Sequence, residues 1–174
     1  METIIGIVVG ILSSFLASGI FLIYINRLKP KIEISPEISY YKDETETFYY
    51  VIKILNKGKR NVINVKVKLS IIKEIIISGG RVNRAKKLNL KTDEIVCIPL
   101  YSKKDTDAKY AFRIRCSDNL KEIWSNEKNS YLRFRVIAED TISGSTEVFE
   151  MKYFTHSCIQ EGQFEWGDSF KIKN

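Results

Sequence analysis

Nucleophilic, metal and acid–base chemistry each demand a recognisable grouping of side chains, and this sequence offers few. His156 is the single histidine in 174 residues. His156-Ser157-Cys158 places two ligating side chains two positions apart. A zinc site takes three or four ligands, and no C-x-x-C pair or second histidine supplies the rest. Ser143-Gly144-Ser145 lacks the G-x-S-x-G pattern of a nucleophile elbow and reads as a turn. Neither a P-loop nor a G-x-G-x-x-G motif occurs. Carboxylates come in pairs: Asp43-Glu44, Asp93-Glu94, Asp105-x-Asp107 and Glu139-Asp140. Acid–base catalysis needs two carboxylates in different environments of one cleft. These fall where turns are expected, and there Asp bonds to local backbone and water. The expectation is a protein that is not an enzyme and needs neither cofactor nor metal.

Charge is more informative. Residues 53–91 hold twelve basic side chains and one acid, Glu74, while residues 32–52 hold one Lys against five acids. Residues 92–174 are nearly balanced, with twelve basic and fourteen acidic side chains. Within the basic block, Lys66 and Lys68 should share the outer face of a strand, with Lys53 on its neighbour. Arg81, Arg84, Lys86 and Lys87 should lie in a loop. Three uses compete: a solvated basic face neutralised by acidic strands alongside, contact with anionic lipid, or binding of a phosphate-bearing ligand such as a nucleotide. Nucleic acid is not expected as a partner. Tyr40, Tyr41, Tyr49 and Tyr50 could stack on bases, although aromatic residues in strands usually fill cores or cover sheets.

These residues must be positioned by two kinds of element. Residues 4–25 form a 22-residue run without a charge, and fourteen of them are Ile, Leu, Val or Phe. As a helix the run is roughly 33 Å long, enough to cross a hydrocarbon core near 30 Å. Insertion of those fourteen is favourable by on the order of 4 to 8 kcal/mol before Gly and Ser reduce it. A cleaved signal peptide would need a basic leader, and a soluble core helix would be amphipathic. The run therefore reads as a transmembrane anchor, residues 1–26. Arg27, Lys29 and Lys31 follow it, so the positive-inside rule puts the C-terminal side in the cytoplasm of a bacterial inner membrane. Three cysteines without a complete pairing, and no N-x-S/T sequon, agree with that side. Gly6, Gly10, Ser14 and Ser18 recur every four residues, a spacing that lets helix backbones approach closely. Self-association through this face is the expectation.

A tether at 27–36, interrupted by Pro30 and Pro36, is too short to carry the remainder far from the bilayer. Residues 37–174 form one domain in which period-2 alternation dominates. Phe48, Tyr50, Ile52 and Ile54 should share a single buried face. Val65, Val67, Leu69 and Ile71 alternate with Lys66, Lys68 and Ser70. Residues 88–98 read as extended. Tyr110, Phe112, Ile114 and Cys116 alternate with Arg113 and Arg115, and Leu132, Phe134, Val136 and Ala138 with Arg133, Arg135 and Glu139. The 56–61 turn should use Gly58 at positive φ, and Ser143-Gly144 should close a hairpin. Seven to nine short strands, with no helical period after the anchor, predict a mainly β fold. It would be an antiparallel β-sandwich, with a small β-barrel as the alternative.

Tyr50-Val51-Ile52-Lys53-Ile54-Leu55-Asn56-Lys57-Gly58, followed by 62–69, resembles the strand–turn–strand opening of immunoglobulin-like bacterial domains. The segment from Tyr131 through Ser143-Gly144 to Gly162-Gln163-Phe164 and Gly167-Asp168-Ser169-Phe170 is similar to the ends of small uncharacterised bacterial single-pass membrane proteins. The paired cysteines and buried Trp of antibody domains are missing. The resemblance implies an immunoglobulin-like architecture and no catalytic residue. The expected function is thus a non-enzymatic single-pass membrane protein that binds a partner or ligand and forms a homo-oligomer through its helix. The alternative is a ligand-gated effector of a bacterial antiphage system that senses a nucleotide-type ligand and disturbs the inner membrane on assembly.

Overall fold

The computed structural model describes residues 1–42, 47–124 and 129–173. Helix α1 (Glu2–Asn26) is uninterrupted and exposed along its length, with Ile5, Val9, Leu16 and Phe21 all more than half exposed. It is long and apolar enough to cross a membrane. The strands that follow are β1 (Ile32–Ile34), β2 (Ile38–Lys42), β3 (Phe48–Asn56), β4 (Val62–Ile77), β5 (Gly80–Lys87), β6 (Glu94–Ile98) and β7 (Ala111–Cys116). After the short helix α2 (Leu120–Ile123) come β8 (Ser130–Asp140), β9 (Thr146–Tyr153), β10 (Ile159–Glu161), β11 (Gln163–Phe164) and β12 (Ile172–Lys173). The protein is mainly β, as its alternating pattern predicts.

Two sheets pack face to face. In the first, β3 pairs with β7 along one edge and with β1 and β2 along the other, and β10 runs parallel to β2. In the second, β4 lies between β8 and the pair β5 and β6, and β9 closes the far edge. One apolar cluster fills the space between them. Ile52, Ile54 and Ile114 from the first sheet meet Val67, Leu69, Phe134 and Val136 from the second. This core is complete without any residue of α1.

The proximal half of β4 keeps its apolar side inward from Val62 through Leu69 because its register shifts between Ile63 and Lys66. Val62 and Val65 are both buried although three residues apart. Asn64 absorbs the extra residue at φ 52°, a conformation that Asn tolerates better than most side chains.

Several expectations need correction. Residues 81–87 are not a loop: they belong to β5, paired along its full length with the distal half of β4. The segment read as tether contains a strand, β1, so the sheet begins at Ile32. Of residues 88–98, only β6 is strand. Gly58 does not use positive φ; it is needed because a Cβ there would meet Asn56 Oδ1 at 2.9 Å. Twelve strands are present among the described residues, more than the seven to nine expected, because several have only two or three residues.

Beta-strand β3 departs furthest from a one-sided pattern. Every residue after Phe48 is buried, on both faces. Its second face is covered by a third layer made from residues 101–110 and the C-terminal hairpin β11–β12. Tyr49 and Val51 pack with Phe164, and Leu55 packs with Ala108 and Tyr110. Alternation in one strand cannot reveal a cover contributed from some fifty to more than a hundred positions away.

Candidate functional site

The basic residues picked out by sequence do not form one patch. Directly opposed residues of antiparallel strands project from the same face. Lys68 is opposite Arg135 and Ser70 is opposite both Lys87 and Arg133, which places Lys66, Lys68 and Lys87 on the outer face of the second sheet. Arg81, opposite Ile76, lies on that face near the hairpin tip. Arg84 and Lys86, opposite Lys73 and Ile71, project from the other face. Part of the charge is met locally, through Lys66–Glu94 (3.9 Å), Lys87–Asp93 (3.4 Å), Arg81–Glu74 (3.8 Å) and Arg135–Glu150 (2.6 Å).

Lys53 is not beside Lys66 and Lys68. It belongs to the other sheet and is buried beneath the C-terminal hairpin. Its Nζ donates to the carbonyls of Glu165 (2.8 Å) and Ser169 (2.7 Å). Burial, and next the charge of Arg113, push its pKa down to about 8.

The structure instead assembles a cleft that was missed from sequence, on the outer face of the first sheet. Residues 113 and 115 project outward from β7, with Val51 opposite Arg115 and Lys53 opposite Arg113. The hairpin closes over them, leaving a hollow of about 340 Å³ walled by Ser39, Tyr41, Arg113, Arg115, Gln163 and Trp166. Arg113 Nη2 donates to the carbonyls of Phe164 (3.1 Å) and Glu165 (3.3 Å), and its guanidinium stacks 5.0 Å from the Trp166 ring centroid. Trp166 Nε1 is tied to Thr106 O at 2.9 Å. Arg115 lies 5.2 Å from the Tyr49 ring centroid. Lys91 approaches the same ring at 4.3 Å and donates to its hydroxyl at 3.1 Å.

Among the described residues, no carboxylate lines this hollow. The Glu165 carboxylate is bonded to Lys173 at 2.9 Å, which holds it below the usual range for Glu. Two guanidiniums, flat aromatic walls, one amide and the hydroxyls of Ser39 and Tyr41 can take an anion joined to a planar group. The signal available in sequence was Arg-x-Arg on the wet side of a strand. What it could not reveal was the lid.

The sparse catalytic candidates find structural partners. His156 Nε2 lies 2.6 Å from Trp124 O, and its ring meets Trp124 edge-on. No cluster of three metal-ligating side chains occurs among the described residues. Asp105 accepts from the amides of Asp107 and Lys109 in a turn, and Asp93 and Glu94 are ion-paired. Glu139 accepts from Asn64, and Asp140 organises the β8–β9 turn. The pair Asp43-Glu44 lies outside the described residues.

At the other end of the molecule, Arg27, Lys29 and Lys31 lie against the β3–β4 turn. On α1, Gly10, Ser14 and Ser18 border an exposed groove with Ile7 and Phe15. A Cβ at Gly6 or Gly10 would meet nothing within 4 Å.

No family model and no curated protein matches the sequence. Among solved structures, the sporulation control protein Spo0M from Bacillus subtilis is similar, with a TM-score of 0.39 at 10% identity. The likeness covers 72% of this chain and 48% of that one, so the chain spans about half its length. At that score it bears on neither family nor function.

Proposed function

We propose that this is a non-enzymatic, single-pass protein of a bacterial inner membrane whose cytoplasmic β-sandwich binds an anionic ligand between Arg113, Arg115 and Trp166. The observation that carries the ligand reading is the pair of guanidiniums on one wall of a hollow that, among the described residues, no carboxylate lines. A phosphate on an aromatic group, as in a nucleotide, suits both halves of that wall. Support for the anchor comes from α1, whose apolar surface is exposed while the core closes without it. Arg27, Lys29 and Lys31 favour the cytoplasmic side for the domain.

The test uses the full chain in zwitterionic nanodiscs, titrated with ATP and followed by tryptophan fluorescence. Trp166 is exposed at the hollow, while Trp124 is buried elsewhere. Saturable quenching is expected, weakened by salt and absent in Trp166→Phe. Arg115→Gln should lower affinity at least about tenfold, the loss of one charge-assisted hydrogen bond. Quenching that Arg115→Gln leaves unchanged would falsify the ligand reading. Extraction of the chain from native membranes by alkaline carbonate would remove the anchor.

A second reading is favoured by the groove bordered by Gly10, Ser14 and Ser18 on an otherwise bulky helix. Packing of these faces would make the protein a ligand-gated membrane effector, of the kind found in bacterial antiphage systems, whose helices assemble once the domains cluster.

A further inference from the structure

The segment joining α1 to the sandwich is docked on the domain. Pro30 is buried, Lys57 N donates to Lys31 O (2.8 Å), and Ser143 Oγ lies 2.8 Å from Leu28 O. Lys29 Nζ pairs with Glu147 at 2.7 Å. The β3–β4 turn is pinned from the opposite side: Gly58 N donates to Asn56 Oδ1 (2.9 Å), and Asn56 Nδ2 donates to Arg60 O (2.7 Å). Gly58 lets the turn close on itself, since a Cβ there would lie 2.9 Å from Asn56 Oδ1.

These contacts bring two separate stretches of sequence to one hollow of about 200 Å³. Arg27, Lys29 and Lys31 arrive from the linker, and Lys57, Lys59 and Arg60 from the turn. Among the described residues Asp140 is the one carboxylate in its lining, and it is bonded to Arg60 at 3.2 Å and to the amides of its own turn. Lys29 and Lys57 have partners in Glu147 and Asp168. Arg27, Lys31 and Lys59 have no ion pair among the described residues, and all three are exposed.

Position decides what such a hollow meets. This step rests on the reading of α1 as a membrane span. A helix of 24 residues measures about 36 Å, slightly more than the roughly 30 Å of hydrocarbon. The five residues after it therefore emerge in the headgroup layer, and the β3–β4 turn docked on them lies there too. Strand β4 starts at this hollow and carries Ile77 some 50 Å away along its length, so the distal cations of β5 cannot join it.

We infer that Arg27, Lys31 and Lys59, backed by Lys29, Lys57 and Arg60, seat the phosphates of anionic phospholipids in the leaflet where α1 emerges. An anionic headgroup is selected over a zwitterionic one because, among the described residues, the hollow has no unengaged carboxylate to meet a choline or ethanolamine ammonium. Docking of the linker holds the cations in place before lipid arrives. The collar thereby sets the domain's height and rotation over the bilayer, leaving the Arg113–Trp166 cleft a fixed outlook.

The full chain, reconstituted into nanodiscs from mixed phosphatidylcholine and phosphatidylglycerol and then released, is weighed with its retained lipids by native mass spectrometry. Phosphatidylglycerol should be enriched over its bulk share, and Lys31→Gln/Lys59→Gln should reduce that enrichment roughly tenfold, about three- to fivefold per cation. Lys66→Gln/Lys68→Gln, on the outer sheet face, should leave it unchanged. No enrichment, or equal loss in both double variants, overturns the proposal. Saturation by inorganic phosphate in pure phosphatidylcholine, sensitive to Lys31→Gln/Lys59→Gln but without lipid enrichment, assigns the hollow to a soluble phosphate and overturns it as well. Carbonate extraction of the same samples separates the two failures: release from the bilayer defeats the anchor, whereas retention without enrichment defeats only the collar.

Discussion

Lys53 is the residue whose surroundings differ most from its ordinary chemistry. A side chain with four methylenes and an ammonium is almost wholly buried, and two backbone carbonyls take its protons. Burial opposes the charge, and Arg113 opposes it further, so the ammonium loses its proton near pH 8 rather than above 10. Below pH 8 the amine is charged in both folded and unfolded chains, and the folded state bears the full penalty. From pH 8 towards about 10.5 the unfolded chain still holds the proton that the folded one has released. Unfolding then takes up a proton, and this group's contribution to stability rises with pH. The urea midpoint of the wild type, measured against Lys53→Met from pH 7 to pH 9.5, should therefore shift progressively in favour of the wild type. A constant gap would show that Lys53 does not titrate in that window. The comparison with the variant is necessary because burial raises Cys116 and Cys158 to about 11, and those thiols slope the other way.

Among the elements, the β8–β9 turn shows how one carboxylate organises a connection. Asp140 Oδ1 accepts from Ile142 N (3.0 Å), Ser143 N (2.8 Å), Ser143 Oγ (3.0 Å) and Arg60 Nη1 (3.2 Å). Burial pushes this carboxyl up, but the Ser143 and Ile142 amides, the Ser143 hydroxyl and Arg60 outweigh it, and the net shift is downward. Gly144 completes the turn at φ 64°, where a Cβ would be strained. Asp140→Asn keeps the shape but removes the charge, and should cost about 1.5 to 3 kcal/mol in chemical denaturation. A carboxyl held below its normal range stabilises above its unfolded pKa, and that contribution is lost as pH falls through the folded value. The gap between wild type and Asp140→Asn should accordingly narrow in strong acid. An unchanged gap from neutral pH to acid denaturation would leave the turn without its electrostatic component.

At the scale of the whole molecule, an apolar helix projects from a domain that has no use for it as core. Its bulky face suits lipid tails, while Gly6, Gly10, Ser14 and Ser18 remove side-chain volume along one side. If helices associate through that side, Gly10→Leu should abolish cross-linked dimers and higher species in native membranes. The β domain should keep its denaturation midpoint. Persistence of the same cross-linked species in Gly10→Leu would exclude this face as the contact.

Local periodicity made a helix long and apolar enough to cross a membrane, the β class and the inward faces of β4, β7 and β8 readable before any coordinates. Burial of a half-wet strand imprints a two-residue alternation on its own sequence, and a lipid-facing helix excludes charge from its own residues. Turn-forming Ser143-Gly144 was legible for the same reason. Strand β5 was not, because it pairs on one edge only and both its faces are exposed, so no alternation marks it. The second cover over β3, the burial of Lys53 and the Arg113–Trp166 cleft depend on a hairpin at residues 163–173 folding back onto residues 49–55 and 113–115. The linker cations join Lys57, Lys59 and Arg60 only through the docked β3–β4 turn. Juxtapositions of that kind leave no periodic trace in either partner, and packing alone decides them.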